Sequence, residues 1–278
     1  MKTSCWLVVS FFSCALLPLL NGCQGCSCSC SIGGPSGGAV GATDRSDGAL
    51  PSLAIPFVES PRVEFDGKLQ EEAWKKAVST GPFVHPRDGR SRPQSPAQAE
   101  AKLFWDSRAL YIAFRVSDPN PSSPFKRHQQ DPHVWAKASG VEVMVQPGDP
   151  GDNKAYFEVQ VDVHGAVWDT RFDDYNRPVI RSYGRKRYGH QEWSAAARRG
   201  VSVEKDHYTL ELAIPWASFS PAKKVRPTLH LPPHQGDTWR VNLYAFRDGQ
   251  RKASAWSPLL GKGNFHRSSR FGRVRFKK

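Results

Sequence analysis

An all-β fold, a two-sheet antiparallel β-sandwich with few short helices, is what this 278-residue sequence predicts. Three observations carry the expectation. Short runs rich in Val, Tyr and Phe alternate with period two, as half-buried strands do. Clusters of Pro, Gly, Asp and Asn separate them, and the chain holds 22 Pro. Helical periodicity never persists in an apolar stretch for more than about three turns. Together these predict about nine to eleven strands and no internal repeat.

The N-terminus is expected to lie outside that fold. Lys2, an apolar stretch over residues 6–20, and then Asn21-Gly22-Cys23 resemble the export signal and lipobox of a bacterial lipoprotein. The apolar stretch is short for a bilayer span. The expected organisation is a signal peptide over residues 1–22, an acylated Cys23 as mature N-terminus, a flexible tether over 23–55, and one domain over 56–278. Each methylene of an acyl chain buried in the bilayer contributes about 0.8 kcal/mol. With Gln24 rather than Asp beside the cysteine, the expected destination is the outer membrane. All six cysteines, at positions 5, 14, 23, 26, 28 and 30, precede the domain. Cys26, Cys28 and Cys30 are an odd set in a Gly/Ser tract, and no second CxxC or His cluster completes a four-ligand metal site. The Gly, Ser, Ala and Pro that follow bury too little apolar surface to fold alone.

Within the domain, Val63 to Phe65 read as a strand end, Asp66-Gly67 as a turn, and Leu69, Ala73 and Trp74 as one side of a short helix. A Pro/Gly loop over residues 80–98 leads to a hairpin. Its first arm is 101–105, its turn is Asp106-Ser107-Arg108, and Leu110, Ile112, Phe114 and Val116 form the inner face of its second arm. Asp118-Pro119-Asn120-Pro121 ends it, and a long loop carries Trp135 to the next strand.

That strand and its partner form the central hairpin, 140–169. Val141, Val143 and Val145 point one way and Glu142 and Met144 the other. Phe157, Val159, Val161 and Val163 oppose Tyr156, Glu158, Gln160 and Asp162. One face builds a core. The other gathers Glu142, Glu158, Gln160 and Asp162. Residues 170–190 read as irregular. Val201 to Val203 and Tyr208 to Ile214 form another strand pair, Trp239 to Ala245 the last core strand, and 271–276 a closing strand.

The formal net charge is +13, with basic clusters at 181–187 and 267–278. An exported lipoprotein rarely meets nucleic acid, so Arg181, Arg185, Lys186 and Arg187 predict instead a preference for acidic or phosphorylated glycans.

The order of motifs resembles carbohydrate-binding module family 9 and the related DOMON-like domains. The motifs are EFDGKLQEEAW, LFWDSRALYIAFRVSDPN, Trp135 leading into the VEV strand, YTLELAIPW, GDTWRVNLYAFRDGQ, SAWSP and FHRSSRFG, spread over residues 56–276. The resemblance implies a jelly-roll-like sandwich that grips poly- or oligosaccharide ends between two aromatics. Carried over, Trp135 matches the first clamp and Glu142 the acid of the VE pair. Glu158 stands where the family has arginine, Tyr244 where it has glutamine, and Phe265 where it has the second tryptophan. The expected carbohydrate-binding set is therefore Trp135, Glu142, Glu158, Gln160, Tyr244 and Phe265. Stacking on aromatic faces and acceptance of hydroxyl protons are what a sugar requires. No cofactor is expected. The resemblance leaves a structural calcium open: the family's acidic residues beside the first clamp are replaced here by Ala136 and Lys137.

The chain is expected not to be an enzyme. It has no HExxH, GxSxG or P-loop, and strand neighbours on an open face offer no pocket to raise a carboxyl pKa. It is expected to serve carbohydrate catabolism or envelope glycan recognition beside a separate glycoside hydrolase. The alternative is a noncovalent haem domain for electron transfer, with Met144 and either His164 or His266 as ligands.

Overall fold

The computed structural model describes residues 44–182 and 185–278, and the side chains of all of these except residues 180–186. Cys23, the other cysteines, the signal peptide and the first part of the tether lie outside the described residues.

The first sheet contains β1 (Ser52–Pro56), β5 (Gly140–Gln146), β6 (Lys154–Asp162), β7 (Val167–Asp174), β12 (Thr238–Arg247), β13 (Lys252–Ala255) and β14 (Gly272–Lys277). Its order is β1-β14-β12-β5-β6-β7, with β13 pairing the end of β12. The second sheet contains β2 (Val78–Ser79), β3 (Gln98–Trp105), β4 (Ala109–Ser117), β10 (Arg198–Val203) and β11 (His207–Pro215), in the order β10-β11-β4-β3-β2. β8 (Ile180–Ser182) and β9 (Arg185–Arg187) pair as a separate ribbon. Two short helices, α1 (Glu72–Lys76) and α2 (Val134–Lys137), lie in the connections. The two-sheet sandwich is therefore as expected, with more strands than the sequence suggested because several are only two to four residues long.

Period-two alternation builds the core. Val141, Val143 and Val145 of β5, Phe157, Val159 and Val161 of β6, and Trp239, Val241 and Leu243 of β12 face Leu110, Ile112 and Phe114 of β4 and Leu210 and Leu212 of β11. Trp105, Trp216, Trp239 and Trp256 all lie in the core. The Asp66-Gly67 turn is pinned to the second sheet by Glu211. Its carboxylate accepts from the Gly67 amide at 2.6 Å and from the Trp74 indole at 2.7 Å. Gly67 has φ +82°, and a Cβ there would lie 2.3 Å from the Ser202 nitrogen, so this turn requires glycine.

Two boundaries differ from the expected ones. Residues 44–55, assigned to the tether, belong to the domain: β1 pairs in parallel with β14, Ser52 opposite Arg273 through Pro56 opposite Lys277. The Arg45 guanidinium donates to the carbonyls of Pro82, Trp256 and Thr80 at 3.1, 2.9 and 3.2 Å. Backbone pairing, the Arg45 guanidinium and the buried Ile55 hold this stretch, and composition does not reveal the first two. Replacing Arg45 with Ala is expected to lower stability by about 1–2 kcal/mol through the carbonyls left unpaired, measured as a shift in denaturation midpoint. An unchanged midpoint would mean that residues 44–55 are not stably docked. The second difference is β7. The hairpin continues to Asp174, whereas residues 170–190 read as irregular because Asp169, Arg171 and Asp173 occupy the positions where a core face would be apolar.

Candidate binding site

The outer face of the first sheet, turned away from the sandwich core, carries two rungs of side chains. Strand register places Tyr244, Glu142, Gln160 and Trp168 in one row across β12, β5, β6 and β7. Asn242, Met144, Glu158 and Thr170 form the next. This face is covered, not open. α2 and the 3₁₀ turn Gly249–Arg251 cover one side, and the segments carrying Tyr175, Tyr188 and His266 cover another. Gly249 lets α2 settle onto that turn: its φ is +64°, and a Cβ there would lie 2.7 Å from the carbonyl oxygens of both Trp135 and Ala136.

The result is a cavity of about 310 Å³, at the lower end of the range for small-molecule sites. Glu158 and Gln160 line it together with Trp168 and Thr170 of β7. Trp135 stands at the cavity with 41% of its surface exposed. Its other walls are aromatic. Tyr175 stacks on His266 at 4.2 Å between ring centroids, and Phe172 stacks on Tyr156 at 4.6 Å. Arg187, Gln250 and Asn264 supply further polar groups.

Gln160 ties the floor together. Its Nε2 donates to Glu142 Oε2 at 2.9 Å and to Glu158 Oε1 at 2.6 Å, while Gln250 Nε2 donates to Glu142 Oε2 at 2.6 Å. Glu142 has no exposed surface and Glu158 has 2%. Neither forms an ion pair with Lys or Arg among the described residues. The nearest basic atom found is His266 Nδ1, 3.8 Å from Glu158 Oε2. Burial pushes Glu158 up to about 8. Glu142 is raised well above the usual carboxylate range, by burial first and by the Glu158 charge second. Burial also pushes His266 down to about 3, so its ring is neutral at physiological pH.

This corrects the sequence reading in three respects. A pocket that raises carboxyl pKa values does exist, because the chain folds loops over what periodicity showed only as the polar side of a hairpin. Glu142 lies behind the cavity wall rather than at its surface. Tyr244 and Phe265 do not meet Trp135 across the cavity. They stack on each other at 3.9 Å, nearly coplanar at 2°, within a small apolar cluster that also holds Met144 and Phe271. Trp135, Glu158 and Gln160 are the expected residues that do line the cavity. Asp162 serves the β6–β7 turn, accepting from the His164 and Ala166 amides at 2.9 and 2.7 Å. Met144 is fully buried and His164 bonds the Phe125 carbonyl, so neither reaches the cavity. Sequence reasoning missed Trp168, Thr170 and Phe172, whose own period-two spacing was the available signal. It missed Tyr175, Tyr188, Gln250 and Asn264, which sit in loops without a pattern.

Ten buried side-chain polar atoms among the described residues lack a hydrogen-bond partner, and five of them belong to residues lining this one cavity. Gln160 Oε1 is an acceptor, and Glu158 Oε2 accepts when ionised and can donate when protonated. Trp168 Nε1 and Arg187 Nε are donors, and Thr170 Oγ1 is both. Buried polar groups are seldom left unpaired, so these atoms are the ones that water or a ligand entering the cavity would satisfy, by both donating and accepting.

An aromatic-walled, polar-floored cavity on the outer face of one sheet defines a small-ligand-binding β-sandwich domain. Comparison with known proteins agrees. A model of the carbohydrate family 9 binding domain-like family matches residues 65–278, and the chain belongs to that family. An exoglucanase, XynX of Acetivibrio thermocellus, is 27% identical over 158 residues, a match spanning 56% of this chain and 12% of that much longer enzyme. A putative carbohydrate-binding protein from Bacteroides uniformis has a similar fold, with a TM-score of 0.60 at 18% identity over 82% of this chain and all of that one. A carbohydrate binding module family 9 domain from Caldicellulosiruptor kristjanssonii, solved with cellotriose, gives 0.54 at 15% identity, covering 81% of this chain and 93% of that one. The same organism's module with glucose gives 0.52 at 16% identity, covering 81% and 95%.

Proposed function

We propose that this chain is a carbohydrate-binding protein whose cavity beneath Trp135 takes a sugar unit of a poly- or oligosaccharide. The observation that carries the reading is the set of unpaired acceptors and donors within one aromatic-walled cavity. A sugar hydroxyl both donates and accepts, and its ring presents C–H groups to aromatic faces. Family membership and the sugars bound by the solved relatives support the same conclusion. A glycan array probed with the protein tests it: binding to one or a few glycan classes is expected, and the absence of any hit would defeat the reading.

The protein binds without hydrolysing. Glycosidases place two carboxyl groups on either side of the scissile bond. Here Glu142 and Glu158 are held side by side on one amide nitrogen, and of the two only Glu158 lines the cavity.

Attachment to the outer membrane through an acylated Cys23, and work alongside a separate glycoside hydrolase, complete the proposal. The motif ending at Cys23 supports the anchor. Cys23→Ser is expected to yield an uncleaved or soluble precursor. Unchanged membrane fractionation of that variant would contradict the anchor while leaving the sugar site untouched.

A further inference from the structure

The unpaired atoms on β6 and on the neighbouring β7 differ in chemistry. On β6 they are Glu158 Oε2 and Gln160 Oε1, with the unpaired Glu142 Oε1 behind, and all three are acceptors once the carboxyl groups are ionised, as a bound cation would have them. The amide protons within reach are already committed, since Gln160 Nε2 serves both carboxyl groups and Gln250 Nε2 serves Glu142. A hydroxyl brings one hydrogen to these atoms. An ammonium group brings three, together with a positive charge for two carboxyl groups that have no Lys or Arg partner among the described residues. Across the strand pair, Trp168 Nε1 and Thr170 Oγ1 stand beside Gln160 and Glu158, and they and Arg187 Nε can pair with the hydroxyl oxygens of the same ligand.

We propose that the preferred ligand is an amino sugar, a hexosamine unit with a free amine, whose ammonium group sits against Glu158 Oε2 and Gln160 Oε1. The proposal rests on the sugar-site reading and names the class of sugar. It runs against the acidic-glycan preference expected from the basic cluster at 181–187. Arg187, the member of that cluster whose side chain is described, lines the cavity, while a carboxylate or phosphate at the floor would face Glu158.

Binding of the cation has a proton consequence. Burial disfavours the charged forms of Glu158 and Glu142 and raises both carboxyls. An ammonium beside them favours the charged form, so a carboxyl proton passes to solvent as the ligand enters. The other titratable groups around Glu158 are Tyr156, Tyr175 and Tyr244, all raised by burial and neutral here, the neutral His266, and Arg187 at the wall.

Titration calorimetry at pH 6.5 tests the proposal with three oligosaccharides of equal length: a fully de-N-acetylated glucosamine oligomer, its N-acetylated counterpart and a cello-oligosaccharide. Two buffers of different ionisation enthalpy report proton release. The amino oligomer is expected to bind about tenfold tighter than the other two, a difference of about 1.4 kcal/mol, and to release protons that they do not. In Glu158→Gln, a near-isosteric stand-in for the protonated acid, the ratio of affinities is expected to approach one and proton release to fall. Glu142→Gln, whose side chain the ligand does not touch, is expected to reduce the ratio less. Equal affinity for all three ligands, or tighter binding of a uronic-acid oligosaccharide added as a fourth, overturns the amino-sugar assignment and leaves the sugar site standing. No binding of any of the four overturns both.

Discussion

Between pH 6.5 and 8, the folded protein is expected to lose stability, on the order of 1–2 kcal/mol, because the buried Glu142–Glu158 pair resists ionisation. The Glu158 carboxyl is raised to about 8 in the folded state by burial, from an ordinary value of 4.5. Over that interval the unfolded chain has released this proton and the folded chain retains it. Stability therefore falls as pH rises, by about 1.4 kcal/mol per pH unit for each such group. The loss begins near 4.5 and is complete above about 8. Below 6.5 it is partly masked. His266, pushed down to about 3, binds a proton in the unfolded but not the folded state, so between about 3 and 6.5 it contributes a gain with rising pH. Asp169, raised to about 6 by burial, adds to the loss only up to that value. The interval above 6.5 isolates the glutamates, and Glu142, raised in the same direction, steepens the fall. Urea denaturation at pH 6.5 and 8.0 measures it. Glu158→Gln, which removes the ionisation, is expected to be more stable than the natural protein at pH 8 and to show a shallower pH dependence. The double Glu142→Gln, Glu158→Gln variant is expected to be nearly flat. A natural protein equally stable at both pH values would mean that water reaches these carboxyl groups freely.

Two aromatic substitutions that look equivalent in the sequence are expected to have opposite consequences. Trp135 is 41% exposed on a four-residue helix at the cavity, and its ring packs only loosely against His133, with centroids 5.5 Å apart. Trp135→Ala is expected to lower sugar affinity by roughly tenfold, on the order of 1 kcal/mol or more of lost stacking, with little change in melting temperature. Phe265 is 8% exposed and lies flat on Tyr244 inside an apolar cluster. Phe265→Ala is expected to cost about 3–5 kcal/mol of stability, the range for deleting a buried aromatic. Calorimetric binding and thermal melts of both variants separate the two roles. Loss of folding in Trp135→Ala, with Phe265→Ala stable but unable to bind, would reverse the assignment of stacking wall and core.

The contrast shows what the sequence made legible. Alternation in β5 and β6 placed Val141, Val143 and Val145 against Glu142 and Met144 correctly, because a strand's side chains must alternate between faces. It thereby put Glu158 and Gln160 on the face that became the site. Periodicity carries no information about what loops do above a sheet. The closure of that face depends on the Gly249–Gln250 turn, on Tyr175 and Tyr188, and on the loop with Asn264 and His266, all brought together over long sequence separations. So Glu142 and Glu158 were legible as neighbours but not as buried. Trp135, which immediately precedes the strand it serves, was legible as a wall. Phe265 was not legible as core, since its partner Tyr244 lies 21 residues away on a strand face that reads as polar. Arg45 and β1 were hidden for a related reason: a short stretch with few apolar residues docks through strand pairing, one guanidinium and the single fully buried Ile55.

The central claim is that the cavity over Glu158 and Gln160 is where carbohydrate binds. It is tested most directly by NMR titration of the 15N-labelled protein with oligosaccharides of the class that a glycan array selects, following the tryptophan indole N–H signals. Trp135 stands at the cavity and the Trp168 Nε1–H has no protein partner, whereas Trp105 and Trp216 donate to backbone carbonyls inside the sandwich. Saturable shifts of the Trp135 and Trp168 indole signals, with those of Trp105 and Trp216 unmoved, are the predicted result. Saturable binding that leaves the Trp135 and Trp168 signals in place would put the ligand elsewhere on the molecule and contradict the account.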